Sequence, residues 1–531
     1  MDTEFRFEKK KIGNALLNVY AKRPASVYSM FLNTVDAYPQ RQAVKFGDIG
    51  ITYAELGRRV DALSSALAGD YKVAKGDRVA IFLKNDDAFP AVFLAISKLG
   101  AVSVVLNTRL TRGELEHQLE MTEPVAAIVD AEIWDKGLNK LLRHKIERNS
   151  LAEIYAGGGT HAAEDCDEED VHTVLFTSGT TGKAKGVKIL QRNFIHSAIR
   201  MEQYMREILG FDTPEGGSKT LIVAPLFHVM ALQEQLMPCL KMGNTVIMLS
   251  ALSITAFLEI VEKEKVEFLV GSPAIYRILL GSAEVAKYDL SPVKLAGFGA
   301  SPMSPDLMSL MKKSFTGAKF FNGFGLTEAS VSLVSLDREC IENPTSIGRP
   351  SLGCEAAIVD EKIRELPAGK VGEIAIKGPN VAGGYYNEPR ATAESFRDGW
   401  FLTGDLGRYD ENGFFYVVSR KKDMINRGGE NIYPVEVENI IYLHPKVLEV
   451  AVYRVPDAVM GEKAAASIVA VPNTNLTAEE IQEFCSGKLA RYKIPEYIVF
   501  TASLPKNPGG KVIKEELTRK FSAESGPTQT K

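Results

Sequence analysis

Residues 76–83, GDRVAIFL, and 100–107, GAVSVVLN, are apolar runs on either side of a third apolar stretch, 89–99, that has the length of a helix. A strand with no polar face must be covered on both sides, so this βαβ rhythm calls for a parallel sheet layered with helices. The rhythm continues with short apolar runs at 125–129, 220–225, 245–249, 268–271 and 295–299. Upstream, residues 27–33 have helical spacing. The segment TYAEL at 52–56 places Thr52 at a helix start with Glu55 three residues on, the pattern of a capping box. Between 136 and 170 periodicity fades into a polar, acidic stretch that reads as a solvated connector.

At 531 residues the chain exceeds one ordinary core. After about residue 340 the texture changes to shorter strands punctuated by glycine, as at 372–378 and 413–420. The charged run 420–423 then opens a compact α+β pattern that continues to about 521. The expected fold is α/β. A large N-terminal domain of helix-covered sheets spans 1–420, with a β-rich subdomain over about 340–420. A small mobile α+β domain spans 421–531, and its polar tail, 522–531, is expected to be disordered.

The chain is 45% hydrophobic and 24% charged, with a formal net charge of −4, which gives no electrostatic footprint for nucleic acid. Its five cysteines are scattered without CxxC pairing, as in reduced thiols of a cytoplasmic protein. The apolar region 89–106 is broken by Lys98 and Gly100, so no integral membrane segment is expected.

Residues 177–187, TSGTTGKAKGV, follow the apolar run 171–176 and combine hydroxyls, glycines and two lysines. Glycine lets backbone N–H groups converge on phosphate oxygens, while Ser, Thr and Lys add donors. A Walker loop needs GxxxxGK followed by Ser or Thr. Here Gly179 and Lys183 are too close and Ala184 follows the lysine, so the loop suits phosphate outside that class.

Six further stretches follow in order: PLFH at 225–228, GAS at 299–301, NGFGLTE at 322–328, GWFLTGDLG at 399–407, SRKKDMINRGGENIYPVEVE at 419–438 and LPKNPGGKVIK at 504–514. With the loop, this set resembles the AMP-forming acyl-CoA synthetases, in the superfamily of adenylate-forming enzymes, from about residue 27 to 521. The texture around 424–434 is nearest to the fatty-acyl and related carboxylate ligases. The resemblance implies ATP, Mg²⁺ and CoA acting with a small-molecule carboxylic acid, first to acyl-adenylate and pyrophosphate, then to acyl-CoA and AMP. A homodimer is left open.

The resemblance also implies residue roles. Thr177, Ser178, Gly179, Thr180, Thr181 and Lys183 would hold the β- and γ-phosphates, Thr327 the α-phosphate, and Glu328 the magnesium ion. Phe324 would face adenine, with Asn322, Gly325 and the backbone of Gly299, Ala300 and Ser301 around it. Asp405 would take the ribose hydroxyls and Arg420 would approach the ribose. Lys422 would be the hinge of a rotating C-terminal domain, Gly428 and Gly429 would let the pantetheine arm pass, and Lys511 would bridge carboxylate and α-phosphate. His228 would stand at the mouth of an acyl pocket lined by Val229, Met230, Leu232, Met237, Met303 and Val331.

Gln191 and Asn426 depart from the pattern, standing where many relatives have His and some have Lys. His228 and Val229 follow Phe227 where amino-acid-activating relatives place an Asp, so a medium- or long-chain fatty acid is expected, with an aryl or alicyclic acid as alternative. A carrier protein in place of CoA, a non-catalytic nucleotide-binding scaffold and a luciferase-like oxidation are the rival functions.

Overall fold

The computed structural model describes residues 5–177, 184–211, 214–301, 303–506 and 512–525. The chain forms two compact units, Met1–Ala356 with Ile376–Phe401, and Ala357–Ala375 with Leu402–Lys531.

The first unit holds two large sheets. One runs Lys185–Leu190, Val171–Thr177, Val102–Val105, Arg78–Phe82, Ala126–Val129 and His144–Glu147 from edge to edge. Its pairs are parallel except the first, which is an antiparallel hairpin. Every residue of Val102–Val105 and Ala126–Val129 is buried, as continuous apolar runs require. The crossover helix Phe89–Lys98 is buried along its whole length, and its one cation, Lys98, pairs with Asp61. Pairing is what allows a charge at that depth.

The second sheet has nine strands, in the order Arg349–Pro350, Ser330–Leu336, Lys319–Leu326, Leu295–Gly299, Phe268–Gly271, Lys219–Ile222, Thr245–Met248, Gln42–Phe46 and Ile49–Thr52. Its centre is parallel and its edges are antiparallel. Parallel strands end on one side of a sheet, where α/β folds open their crevices. Here the ends of Leu295–Gly299 and Lys319–Leu326 carry two of the expected site motifs.

In the second unit, residues 405–409 of the strand Trp400–Tyr409 pair with Phe415–Arg420. Farther on, Ile425–Arg427, Glu430–Ile432, Val447–Asp457, Gly461–Ala470 and Tyr497–Phe500 make a five-stranded sheet. The helices Pro434–Ile441 and Ala478–Cys485 cover it around Ile425, Val437, Val452, Ile468 and Ile481.

Three local expectations change. Thr52 does cap its helix by accepting from Glu55 N, but the Glu55 carboxylate goes to Arg58 and Arg59, so the box is half formed. The expected connector holds a strand, His144–Glu147, with only Ile146 buried; one inward residue at a sheet edge leaves little periodicity to read. The final helix, Lys514–Ser525, continues through 522–525, anchored by buried Leu517 and by Phe521 packed on the same cluster. Among the described residues no helix is long and apolar enough to cross a membrane.

His172, at the start of the strand Val171–Thr177, lies fully buried between Phe93 and Phe194, with its ring nitrogens on Ser97 Oγ at 2.9 Å and Thr173 Oγ1 at 2.8 Å. Burial holds its imidazole down at about 3 against an ordinary 6.5. The unfolded chain therefore takes up a proton that the folded chain refuses, and stability falls as pH drops from about 6.5 towards 3. The urea midpoint is expected to decline over that window, less steeply in His172→Gln. Equal slopes for variant and wild type would remove His172 from the acid response.

Candidate active site

Thr177 pairs in register with Lys185, so the strands on either side of the expected phosphate loop form a hairpin. Ser178, Gly179, Thr180, Thr181, Lys183 and Lys511 lie outside the described residues. At the hairpin base the Lys185 ammonium stands 4.8 Å from the centroid of the Tyr385 ring. The Tyr385 hydroxyl donates to Glu328 Oε1 at 2.9 Å. Backbone pairing fixes this cluster: Gly383 N donates to Lys188 O (2.8 Å), Lys188 N to Gly384 O (2.9 Å) and Tyr386 N to Gly186 O (2.7 Å). Ala382 N also donates to Glu328 O at 2.9 Å. Segment 382–386 therefore acts as an added strand joining the hairpin to Glu328. Burial, and then the Glu328 charge, hold the Tyr385 hydroxyl well above its ordinary pKa, so it remains a donor at neutral pH.

Glu328 is buried and Thr327 half-buried in the turn between Lys319–Leu326 and Ser330–Leu336, not at a helix start. Two glycines near them are dictated by close strand approach. A Cβ on Gly325 would lie 2.0 Å from Ser330 O, and one on Gly299 would lie 2.4 Å from Gly323 O. Ala300 takes φ +68°, a left-handed conformation that costs a non-glycine residue about 1–2 kcal/mol. Strain of this kind persists where surrounding structure imposes it, and it turns the chain sharply off the strand end at Ser301. Phe324 is half-buried in the strand beside it, while buried Asn322 donates through Nδ2 to Ser346 O at 2.9 Å.

In the second unit, Asp405 and Arg420 face each other in register, with Arg420 Nε 2.8 Å from Asp405 Oδ1 and Arg420 Nη1 donating to Thr403 O at 3.3 Å. Two residues assigned to one ribose thus meet in one place. Lys422 is exposed in the short turn Lys421–Asp423, whose Lys421 pairs with Glu373 at 3.0 Å. Gly428 and Gly429 have φ +59° and +95° and close the hairpin between Ile425–Arg427 and Glu430–Ile432, a two-residue turn that requires positive φ at both positions. Asn426 Oδ1 accepts from Gly429 N at 2.8 Å, so this departure from the pattern stabilises the turn. Gln191 is likewise structural: 2% exposed, it accepts from Val27 N at 2.9 Å and fixes the start of the helix Val27–Ala37.

His228 follows the strand Lys219–Ile222 by a turn and does not close it. Buried Asn85 clamps that turn, donating from Nδ2 to Ala224 O (3.0 Å) and accepting at Oδ1 from Leu226 N (2.9 Å). Next along the chain, the short helix Val229–Ala231 runs into a π-helical turn, Leu232–Leu236. A cavity of about 60 Å³ opens beside it, lined by Met201, Met205, Met230, Met242, Gln235 and Val331 among others. Of the expected pocket residues Met230 and Val331 line this cavity, whereas Leu232, Met237 and Met303 belong to the packed core.

Residues 31–386 match the AMP-binding enzyme family and residues 436–511 its C-terminal domain. The chain belongs to the AMP-binding enzyme family. It is 36% identical over 499 residues to a feruloyl-CoA synthase of Amycolatopsis, covering 91% of this chain and 96% of that protein. It is 32% identical over 533 residues to a long-chain-fatty-acid–CoA ligase of Bacillus subtilis, covering 93% and 94%. The solved o-succinylbenzoate–CoA synthetase of Bacillus subtilis with ATP and magnesium superposes with a TM-score of 0.81 at 29% identity, covering 92% of this chain and 98% of that one. The chain is accordingly an AMP-forming acid–thiol ligase with the α/β fold of the adenylate-forming enzymes.

Two residues of this ligase escaped the sequence motifs. Tyr385 sits in GGYYN at 383–387, where paired glycines before paired tyrosines were the available signal. Asn85 lies in KNDD, which on its own reads as a surface turn. In the ligase, Arg420→Met removes the guanidinium that stands 2.8 Å from the buried Asp405 carboxylate. A hydrogen bond to a charged group is worth about 1.5–3 kcal/mol, so the KM for ATP is expected to rise by about tenfold or more. An unchanged KM in steady-state kinetics would separate this pair from nucleotide binding.

Proposed function

We propose that the chain joins a carboxylic acid with an apolar tail to CoA at the expense of ATP, with chemistry centred on Glu328, Tyr385 and Lys185. The observation that carries this reading is the buried Glu328 carboxylate, oriented by Tyr385 beside the hairpin that bears the phosphate loop. The substrate carboxylate attacks the α-phosphorus of ATP and pyrophosphate leaves; the CoA thiol then attacks the acyl carbon and AMP leaves. Both steps build negative charge on oxygen, which fixed cations and donors stabilise.

Magnesium is a hard cation, held by one or two carboxylates together with substrate phosphates. A single oriented carboxylate fits that requirement, so Glu328 would hold the ion. When bound, the ion neutralises phosphate charge. Tyr385 fixes the carboxylate, Lys185 adds positive charge at the hairpin base, Thr327 is assigned to the α-phosphate, and Asp405 with Arg420 to the ribose. Thr177, Ser178, Gly179, Thr180, Thr181, Lys183 and Lys511 keep the phosphate roles that the resemblance gives them. Lys422 keeps its hinge role in a C-terminal domain that rotates between the two steps, and Gly428 and Gly429 the passage for pantetheine.

For the acid, a medium- or long-chain fatty acid is the reading carried from the sequence. An aryl acid is favoured by the small, methionine-rich cavity, since thioether sulfur packs well on rings, and by similarity to a feruloyl-CoA synthase. Five unpaired thiols suit a reducing, cytoplasmic setting.

CoA-dependent AMP release with ATP, magnesium and a graded panel of fatty and aryl acids tests the proposal; turnover of amino acids alone would overturn it. Lys511→Ala is expected to abolish adenylate formation while thioester formation from supplied acyl-adenylate continues, and full activity with ATP would remove Lys511 from the first step. Tyr385→Phe is expected to raise the magnesium concentration for half-maximal rate by about tenfold, as loss of an orienting partner does elsewhere. An unchanged magnesium dependence would leave Tyr385 a packing residue.

A further inference from the structure

The methionine-lined cavity holds one group that an apolar substrate leaves unsatisfied. Gln235 lines it, is 2% exposed, and donates from Nε2 to Val270 O at 3.4 Å. Its Oε1 is buried and has no hydrogen-bond partner among the described residues. Because the amide nitrogen already faces a carbonyl, exchanging the two ends would set oxygen against oxygen, and the spare atom is therefore an acceptor.

Its neighbour behaves differently. The Glu234 carboxylate also lines the cavity, yet it is committed to Arg200 Nη2 (2.7 and 2.9 Å), to Ser197 Oγ (2.9 Å) and to Ser330 Oγ. Both residues belong to the π-helical turn Leu232–Leu236. A second π-helical turn, Tyr204–Ile208, contributes Met205 to the same cavity. π turns are rare and gather at functional sites. Thr220, the other neutral polar side chain on the wall, donates its hydroxyl to Phe268 O at 3.1 Å. Among the described residues Gln235 Oε1 is thus an acceptor left uncommitted in a wall dominated by sulfur and carbon, whose other polar side chains, Glu234 and Thr220, are engaged.

From this we infer that Gln235 is a specificity-determining residue that accepts a hydrogen bond from a hydroxyl on the substrate's tail, remote from its carboxylate. The acid class is a hydroxylated one. A plain hydrocarbon tail would seal the oxygen away from water with no donor, and a buried unsatisfied acceptor costs about 1–3 kcal/mol, equivalent to roughly a 5- to 150-fold preference. A site that hydrogen-bonds a substrate hydroxyl discriminates against the analogue lacking it more strongly than an apolar wall distinguishes methylenes. The inference rests on the ligase reading above and adds the polarity of the tail.

The test is kcat/KM by AMP release for matched pairs of acids. Ring-hydroxylated aryl acids against their deoxy counterparts form one arm, and terminally hydroxylated alkanoic acids against plain alkanoic acids form the other. In at least one arm the wild type is expected to favour the hydroxylated member by about tenfold, and the favoured arm identifies the body of the substrate. Gln235→Leu and Gln235→Met are each expected to collapse that preference, lowering kcat/KM for the hydroxylated acid. The wild-type comparison needs no variant and stands even where a substitution harms folding. Equal rates within both pairs, or a preference that survives in both variants, would overturn the assignment while leaving the ligase reading intact. No AMP release with any acid would overturn the ligase reading and this inference with it.

Discussion

The first unit depends on a buried ion pair. Arg200, on the helix Gln191–Gln203, and Glu234, on the π-helical turn, are 1% and 4% exposed and meet at 2.7 Å. Arg200 also donates to Val331 O, and Glu234 accepts from Ser330, so the pair reaches the strand that follows the Thr327–Glu328 turn. Removing two charges from water costs several kcal/mol each, and only close pairing with extra hydrogen bonds offsets this. Such a cluster contributes little net stability against a well-packed apolar alternative. It does tie helix, π turn and hairpin to one geometry, since displacing any of them leaves an unpaired buried charge. The wall of the cavity and the position of the Glu328 carboxylate are thereby set by the same contact.

Around that contact the residues proposed for the chemistry are arranged on backbone. Tyr385 reaches Glu328 because segment 382–386 pairs with the hairpin strand Lys185–Leu190, and Lys185 begins that strand. The strand Lys185–Leu190 and Glu328, far apart in sequence, are thus joined by main-chain hydrogen bonds through segment 382–386. In the second unit, strand register does the same for Asp405 and Arg420. Sites built on paired strands keep their geometry without a bound ligand, so little reorganisation is required when charge develops.

Much of this was legible in the sequence, for identifiable reasons. Continuous apolar runs such as VSVV at 102–105 announce strands covered on both faces, and they were found where expected. Glycine-rich motifs were legible as motifs, although Gly299 and Gly325 are fixed by strand approach and Gly428 and Gly429 by a hairpin turn. What could not be read was anything created by tertiary pairing. Tyr385 acquires its position from an added strand, Asn85 from a turn at Leu226 that lies 141 residues away in sequence, and Gln235 from a π turn that periodicity cannot reveal. Half of the Thr52 capping box failed because Glu55 had two arginines within reach.

A π turn differs from an α turn by a single residue inserted into the helical ladder, and each residue advances a helix by about 100°. The cavity wall at Leu232–Leu236 is therefore sensitive to length as well as to side-chain identity. Loss of one residue there would swing Glu234 and Gln235 to other faces together, breaking the ion pair and turning a different side chain into the cavity. Substitution of a cavity residue leaves the turn intact, whereas a length change in it also breaks the buried ion pair and so carries a stability penalty. Substrate range at this wall is expected to diversify by replacement of side chains within a conserved helix length.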